Sequence, residues 1–383
     1  MKPECLSAIV LVGLICAPGL TRAQSTAAIS VFQVVRTPNE NFNNGLLASS
    51  ASSPTDIWAV GQSTIHFDGT KWTAYPAPMI RGDNTSYLDG VVDVSPTEAW
   101  AAGIVGIGEA NPGQVIEQWN GTAWSVFPGP KFGPEEQPEI YGMTAVSAND
   151  IWAVGTLLVD NQTLLALFEH WDGSSWTATT GAFYGGFVAV SADAGNDIWA
   201  VGCGNFSEHY DGTSWKLVKT PNVGTGPNCL NGVVALAPDN VWAVGYSTAT
   251  QKPPPGQYDV PTMTLIEHYD GTSWSVVPSP NVGPNSQYQS NRLKSVTAVS
   301  PADIWAYGSY FAASGSENQM TLLLHWNGTA WSLAPSPNPT SSSFLDDILF
   351  SGVVAGRGDV WLFGSEAASP YTATLAIHRT GAQ

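Results

Sequence analysis

Charge is scarce in this sequence, and positive charge most of all. Asp, Glu, Lys and Arg make up 11 % of the residues, against roughly 25 % in ordinary soluble domains. Lys and Arg number 13 and Asp and Glu 31, which leaves a formal net charge of −18. Because phosphate groups are bound by clustered Lys and Arg, nucleic acid and anionic membranes are excluded as main partners. A hydrophobic content of 43 % also excludes a chain that is disordered throughout.

Long hydrophobic runs are lacking after the first few residues. The apolar stretch 6–20 follows the basic Lys2 and is shorter than the roughly 20 residues of a membrane span. Ala23 then offers a small residue at a cleavage position. We therefore predict that residues 1–23 are a signal peptide. Residues 24–383 are then a secreted or periplasmic domain without membrane insertion.

Cysteine is equally sparse. Cys5 and Cys16 belong to the predicted signal peptide, which leaves only Cys203 and Cys229 in the exported chain. An even pair of cysteines in an oxidising compartment predicts a disulfide, with two free thiols as the alternative. Two cysteines without further ligands make no zinc site.

One short unit recurs along the whole chain. Its fullest form, Asp-Ile-Trp-Ala-Val-Gly, occurs at 56–61, 150–155 and 197–202, and four variants complete a set of seven. The spacing of the copies averages about 50 residues, a period typical of propellers and other repeat folds. The tryptophans that mark the copies are Trp58, Trp100, Trp152, Trp199, Trp242, Trp305 and Trp361.

A second unit follows six of the seven copies of the first. Glu-His-Tyr-Asp-Gly-Thr-Ser-Trp stands at 208–215 and 267–274, and close relatives end at Trp72, Trp124, Trp176 and Trp331. An Asp-Gly or Asn-Gly step between apolar runs predicts a hairpin, because these residues tolerate positive φ. Each repeat then contains four short strands. Seven such repeats predict an all-β, seven-bladed β-propeller.

The two ends of the chain complement each other. The last repeat stops at 378–383, just before the tryptophan that would open its fourth strand. Residues 32–39 match 215–222, which contain a fourth strand in another repeat. We predict that the N-terminal strand completes the last blade, because this closure removes unpaired sheet edges. It also favours a single domain.

The hairpins resemble a known superfamily. A Tyr-Asp turn leading to Trp, as at Tyr269–Trp274, follows a strand that ends in Val-Gly. This arrangement is similar to the kelch and galactose-oxidase-like seven-bladed propellers, although their Gly-Gly doublet is a single glycine here, as at Gly155. The resemblance covers residues 29–383 and implies architecture only, because propellers serve binding, scaffolding and catalysis alike.

Catalytic signatures are missing. The sequence contains no phosphate loop, nucleophile elbow or metal-binding motif, so no cofactor and no metal are expected. The histidines share one position in the third strand of their repeats, which favours a structural role over catalysis. They are His66, His170, His209, His268, His325 and His378.

A candidate ligand site lies where the repeats differ. In a propeller the b–c and d–a connections open on one face, and here they vary most in length, so function is expected there. Just before the first strand of each repeat an apolar residue recurs, as at Tyr184, and the residue after it varies. Arg292 is a further candidate for ligand contacts. The varying residues are predicted as Leu47, Asp89, Tyr141, Gly185, Asn231, Lys294 and Asp346. Ordinary surface variation is the alternative.

The leading hypothesis is an exported, non-catalytic, monomeric propeller that binds a glycan or an extracellular protein through this face. The alternative is a carbohydrate-active enzyme, either a polysaccharide lyase or a glycoside hydrolase, with its site at the channel mouth of the same face. A buried Asp, Lys or Tyr with a shifted pKa in the mouth would favour the enzyme. A structural role in an envelope or extracellular assembly is a third hypothesis.

Overall fold

Antiparallel hairpins form wherever the two repeated units predict them in the computed structural model of the chain. The expected signal peptide and the residues after it up to position 30 lie outside the described part. The structure describes residues 31–40, 43–79, 85–108, 112–160, 162–224, 226–248, 262–282, 290–311, 318–339, 346–356, 358–368 and 371–380.

The strands are numbered along the chain, and β1 (Gln33–Val34) precedes the first blade. Each of the first three blades runs outward from the central channel in chain order. Blade 1 contains β2 (Leu46–Ser53), β3 (Asp56–Gly61), β4 (Thr64–Phe67) and β5 (Trp72–Ala74). Blade 2 contains β6 (Tyr87–Ser95), β7 (Glu98–Val105), β8 (Gly113–Trp119) and β9 (Trp124–Val126). Blade 3 contains β10 (Gln137–Ser147), β11 (Asp150–Val159), β12 (Thr163–Trp171) and β13 (Trp176–Tyr184).

The remaining blades follow the same order, with one exception at the end. Blade 4 contains β14 (Phe187–Ala194), β15 (Asp197–Gly202), β16 (Phe206–Tyr210) and β17 (Trp215–Lys219). Blade 5 contains β18 (Asn228–Ala237), β19 (Asn240–Thr248), β20 (Thr262–Tyr269) and β21 (Trp274–Val276). Blade 6 contains β22 (Asn291–Ser300), β23 (Asp303–Phe311), β24 (Gln319–Trp326) and β25 (Trp331–Leu333). Blade 7 contains β26 (Ile348–Val354), β27 (Val360–Ala368) and β28 (Tyr371–Arg379), with β1 as its fourth strand.

The described residues therefore form seven four-stranded sheets, and the predicted all-β propeller is confirmed. The predicted closure is confirmed as well, because Gln33 pairs with His378 and Val34 with Ile377. Beside this strand Phe32 is only 2 % exposed, and its ring lies 5.1 Å from that of Trp305 in blade 6. The N-terminal strand thus brings an aromatic side chain into the core between the last two blades.

The Asp-Gly steps form the tight turns that the sequence predicts. In blade 5 the Oδ1 atom of Asp270 accepts hydrogen bonds from the backbone N–H groups of Thr272 and Ser273, each at 2.9 Å. Gly271 between them has φ of +88°, in the region that side chains disfavour. The aspartate therefore stabilises the turn, and these hydrogen bonds lower the pKa of its carboxyl group.

A tryptophan, an acidic or amide side chain and a histidine form one cluster in the blades. In blade 4 the Nε1 atom of Trp199 donates to Oδ1 of Asp197 at 2.9 Å, and Nε2 of His209 lies 2.7 Å from the same oxygen. The imidazole stacks on the indole at 4.4 Å. In blade 5, Asn240 takes the place of the aspartate. The histidines therefore hold the strand-b tryptophans in place, within one blade.

The predicted disulfide between Cys203 and Cys229 is present. Cys203 follows β15 in blade 4 and Cys229 lies in β18 of blade 5, so the bond ties two neighbouring blades. Within the described ranges, no helix is long and apolar enough to cross a membrane.

Removing the closing aromatic should cost the whole propeller stability. Phe32→Ala is expected to lower the free energy of unfolding by about 3 to 5 kcal/mol, because it leaves a cavity against Trp305. Urea denaturation measures the loss. Gln33→Ala, an exposed change in the same strand, should cost well under half as much. Equal losses for the two variants would show that the closing strand does not depend on this ring.

The cluster in blade 4 allows a sharper comparison. Asp197→Ala leaves the buried Nε1 atom of Trp199 without its acceptor and removes the partner of His209, so it should cost about 2 to 4 kcal/mol. Asp197→Asn should cost less than about 1 kcal/mol, because Asn240 makes the equivalent bonds in blade 5. Thermal denaturation of both variants at one pH measures the difference. An asparagine as damaging as alanine would contradict this role.

Candidate ligand site at the channel mouth

Each inner strand carries a β-bulge next to a buried anchor residue. The anchor pairs with the last glycine of the Asp-Ile-Trp-Ala-Val-Gly unit, and the strand register shifts immediately after it. A Cβ atom on Gly155 would lie 1.8 Å from the carbonyl oxygen of Glu139, so this glycine is required by the bulged strand above it. The anchors are Leu46, Leu88, Ile140, Phe187, Leu230, Leu293 and Leu349.

The extra residue of each bulge lines the channel. A bulge re-aims one side chain away from the regular pleat, and here it does so once in every blade. Because each anchor lies where its inner strand meets the end of the second strand, the ring lies on the face of the b–c and d–a connections. The ring opens into a cavity of about 200 Å³. Its members are Leu47, Asp89, Tyr141, Val188, Asn231, Lys294 and Phe350.

The predicted ring residues are therefore in place in five blades and need correction in two. Tyr184 is not an anchor, because β13 runs on to this residue and pairs it with Leu165 of the same blade. Asp346 also lies outside the ring: it forms a bridge with Gln319 and accepts a hydrogen bond from its Nε2 atom at 2.8 Å. The ring positions belong instead to Val188 and Phe350.

A fixed spacing could have revealed this register. The anchor stands 15 positions before its glycine, as Leu46 does before Gly61, and the same interval holds in every blade. The interval reflects a two-strand hairpin of constant length. Blades 4 and 7 carry a longer approach to the inner strand, and an apolar residue in that approach imitates the anchor.

One side of the channel mouth carries acidic groups that are partly shielded from solvent. The Oδ2 atom of Asp89 is shielded from solvent and has no partner among the described residues. Burial, with the nearby Glu139 carboxylate, raises the pKa of Asp89 well above its usual range. The hydroxyl of Tyr141 donates to Glu139, and burial with this bond raises the pKa of Tyr141. The pKa of Tyr87 is raised by burial and by the same two carboxylates.

Another side of the mouth is basic. The Nζ atom of Lys294 lies 5.7 Å from the centre of the Phe350 ring. Burial lowers the pKa of Lys294, and the charge of Arg292 lowers it further. Arg292 itself lies over the ring of Tyr246 at 5.3 Å and donates from Nε to the hydroxyl of Thr262 at 3.3 Å. Both cations are therefore held by protein groups, with aromatic faces beside them.

Asn231 has a structural duty in the ring. Its Nδ2 atom donates to the carbonyl oxygen of Leu293 at 2.8 Å, which ties the inner strands of blades 5 and 6.

Glu139 and Phe350 are mouth residues that the sequence did not predict. In the part of the chain that the structure describes, no three His, Cys, Asp or Glu side chains group together as metal ligands.

Solved structures share this fold. No protein-family model matches the sequence, and no curated protein matches it. YCF48 bound to D1 peptide aligns with a TM-score of 0.56 at 13 % identity over 93 % of this chain and 99 % of that one. The WD40 β-propeller domain of Doa1 aligns with a TM-score of 0.54 at 10 % identity, over 91 % and 97 %. A GH74 xyloglucanase from Xanthomonas campestris aligns with a TM-score of 0.53 at 12 % identity, over 90 % and 55 %.

At such low identity the likeness shows the fold alone. It confirms the seven-bladed propeller architecture. It does not confirm membership of the kelch and galactose-oxidase-like superfamily.

The acidic groups of the mouth should make stability depend on pH. Asp89 has a raised pKa in the folded chain, so above an ordinary value of about 3.9 the folded state holds a proton that the unfolded state has lost. Stability then falls as pH rises, by at most about 1.4 kcal/mol per pH unit. Asp89→Asn should remove this fall, so the variant gains on the wild type between pH 5 and pH 8 in urea denaturation.

The matched control is Asp270→Asn. Its carboxyl pKa is lowered by turn hydrogen bonds, so the carboxylate is ionised in both states across this range and the variant should track the wild type. A constant difference between Asp89→Asn and the wild type from pH 5 to pH 8 would contradict the assignment.

Proposed function

We propose that this protein is an exported binding propeller that takes its ligand at the channel mouth. The observation that carries the proposal is the ring of bulge residues: every blade contributes one side chain, on the same backbone feature, and the side chains differ in chemistry. A constant scaffold with a varied ring suits recognition. In this proposal residues 24–383 form one monomeric domain behind a signal peptide, with the architecture of the kelch-type propellers.

The ligand we propose is an acidic saccharide unit of a glycan. Sugar hydroxyls would donate to the carboxyl groups of Asp89 and Glu139, and a sugar carboxylate would meet Lys294 and Arg292. The apolar ring member Phe350 offers a face for sugar C–H groups. A cavity of about 200 Å³ suits one small unit of a chain and not a folded domain, so the rest of the glycan would lie across the face.

A carbohydrate-active enzyme is the second candidate, favoured by one observation. Asp89, whose pKa is raised, and Lys294, whose pKa is lowered, both line the channel mouth. Groups with perturbed pKa values cluster at catalytic sites. A hydrolase would use Asp89 as the acid and Glu139 as the second carboxylate. A lyase would use Lys294 as the base. Binding is preferred because catalysis calls on two or three of these groups and leaves the remainder of the ring unexplained.

Oligosaccharides test the proposal directly. The purified protein is incubated with neutral and uronic-acid-containing oligosaccharides, and both retention and chain shortening are scored in each sample. We expect retention of the acidic chains without shortening. Lys294→Met should weaken retention by about 10-fold or more, because it removes a charge-assisted contact. Lys216→Met, which removes an exposed lysine paired with Asp211, should change nothing.

The outcomes separate the two functions. Shortening that disappears in Asp89→Asn would replace binding with catalysis at the same site. Retention that is unchanged in both Lys294→Met and Asp89→Asn would remove the channel mouth from consideration. Failure to retain any glycan, with capture of peptides that the same variants abolish, would make the partner a protein.

A further inference from the structure

A second cavity lies between blades 3 and 4, away from the channel ring. It measures about 550 Å³ and opens between β13 and the outer strands of blade 4. Aromatic side chains form much of its wall: Trp152 and Phe168 come from blade 3, and Tyr210 and Trp215 from blade 4. This interblade groove is within the roughly 300–1,000 Å³ typical of small-molecule sites.

A break in the repeat pattern opens the groove. The outer strand of a blade begins with a tryptophan, or directly follows Phe32 in the closing blade. In every blade except blade 3, the residue three positions after this aromatic residue is apolar and packs into the core between that blade and the next. Phe127 is one of these apolar residues, and its ring lies 4.8 Å from that of Trp100. Blade 3 has Thr179 at this position, and it is exposed. The apolar residues at the other interfaces are Val35, Tyr75, Phe127, Val218, Val277 and Ala334.

The outer strand of blade 3 departs in a second way. The β13 strand has 9 residues, whereas the outer strands of the other blades have between 2 and 5. Several of these short strands are followed by a proline two residues after they end. Within β13 a Cβ atom on Gly181 would lie 3.2 Å from Oε1 of Glu208. The missing side chain leaves this carboxyl group open to the groove.

Glu208 is the polar group at the base of the groove. Its side chain is deeply buried, with 5 % of the residue exposed. No hydrogen bond or ion pair joins its carboxyl group to any other residue that the structure describes. Its counterpart in the next blade, Glu267, has both carboxyl oxygens shielded from solvent in a closed interface. Of these two glutamates, Glu208 is therefore the one whose carboxyl group a ligand can reach from the groove.

We propose that the interblade groove is a binding site for an organic ammonium ion. Aromatic ring faces attract cations, and the attraction grows when water is excluded. The carboxyl group of Glu208, which has no partner among the described residues, completes the site by charge complementarity, and none of the residues described around the groove is a lysine or an arginine. Anions are disfavoured in the groove by this carboxyl group. The site is independent of the channel mouth.

The ligand class is tested with an isosteric pair. Choline and its uncharged carbon analogue 3,3-dimethylbutan-1-ol are titrated separately into the full-length exported protein by isothermal calorimetry. Choline should bind, and the neutral analogue should bind on the order of 10-fold more weakly, because only the cation gains from the ring faces and the carboxylate. Equal affinity for the two compounds would overturn the proposal.

Two variants locate the site. Glu208→Gln should weaken choline binding by about 10-fold, whereas Glu267→Gln, the same change in the closed interface of blades 4 and 5, should leave it unaltered. Thr179→Phe should pack on Trp152 as Phe127 packs on Trp100, fill the groove and abolish binding with no loss of thermal stability.

These variants also define failure. Choline binding that survives both Glu208→Gln and Thr179→Phe would place the cation elsewhere and refute the site. Thr179→Phe keeps the test decisive if the glutamine variant folds poorly. Binding of neutral oligosaccharides in place of choline, lost in Thr179→Phe and retained in Glu208→Gln, would replace the ammonium ion with a sugar.

Discussion

The contact of the strand-b tryptophan with the next blade is the interaction on which this propeller depends. Trp199 is held by Asp197 and His209 within its own blade, and it meets Tyr269 at 4.5 Å and Trp274 at 5.4 Å in the following one. Because hydrogen bonds within its own blade already fix the indole, little rotamer entropy is lost when it packs against the next blade. Blades 3, 5 and 6 repeat these hydrogen bonds, and the tryptophans of other blades also contact aromatic rings of the following blade.

Several glutamates are buried in the interior of the blades, although charged residues are rare in this chain. Burial raises the pKa of Glu117 to about 7 and those of Glu169 and Glu267 to about 8. Such groups reduce stability at neutral pH, since the unfolded chain ionises them freely. They occupy one position of the third strand in blades 2 to 5, where blade 6 has Leu324. Proteins commonly keep costly polar groups near functional sites, and Glu208 of this row faces the interblade groove.

Both proposed sites arise where identical blades are made unequal. At the channel mouth the backbone is constant and one bulge residue changes from blade to blade, so that acidic Asp89 and basic Lys294 lie among uncharged ring members. In the groove one apolar side chain is replaced by Thr179, and a cavity lined by aromatic side chains lies between the two blades. A repeat fold can acquire binding sites this way without weakening its remaining interfaces, because each blade contacts only its neighbours.

The sequence by itself determined the number of blades, the order of their strands, the closing strand and the disulfide. These features follow from local patterns, namely the tryptophan unit, the Asp-Gly turn and the match of the two chain ends. It also placed five of the ring residues, because in those blades the apolar residue just before the first strand is the anchor. The tertiary structure corrected the register in blades 4 and 7, where a nearby apolar residue had been taken for the anchor, and it showed the interblade groove. In blade 4 the error arises because the outer strand of blade 3 runs on to Tyr184 and pairs it with Leu165. Whether a changed side chain such as Thr179 leaves a cavity depends on packing between residues of two blades, which the pattern of apolar residues along the chain does not determine.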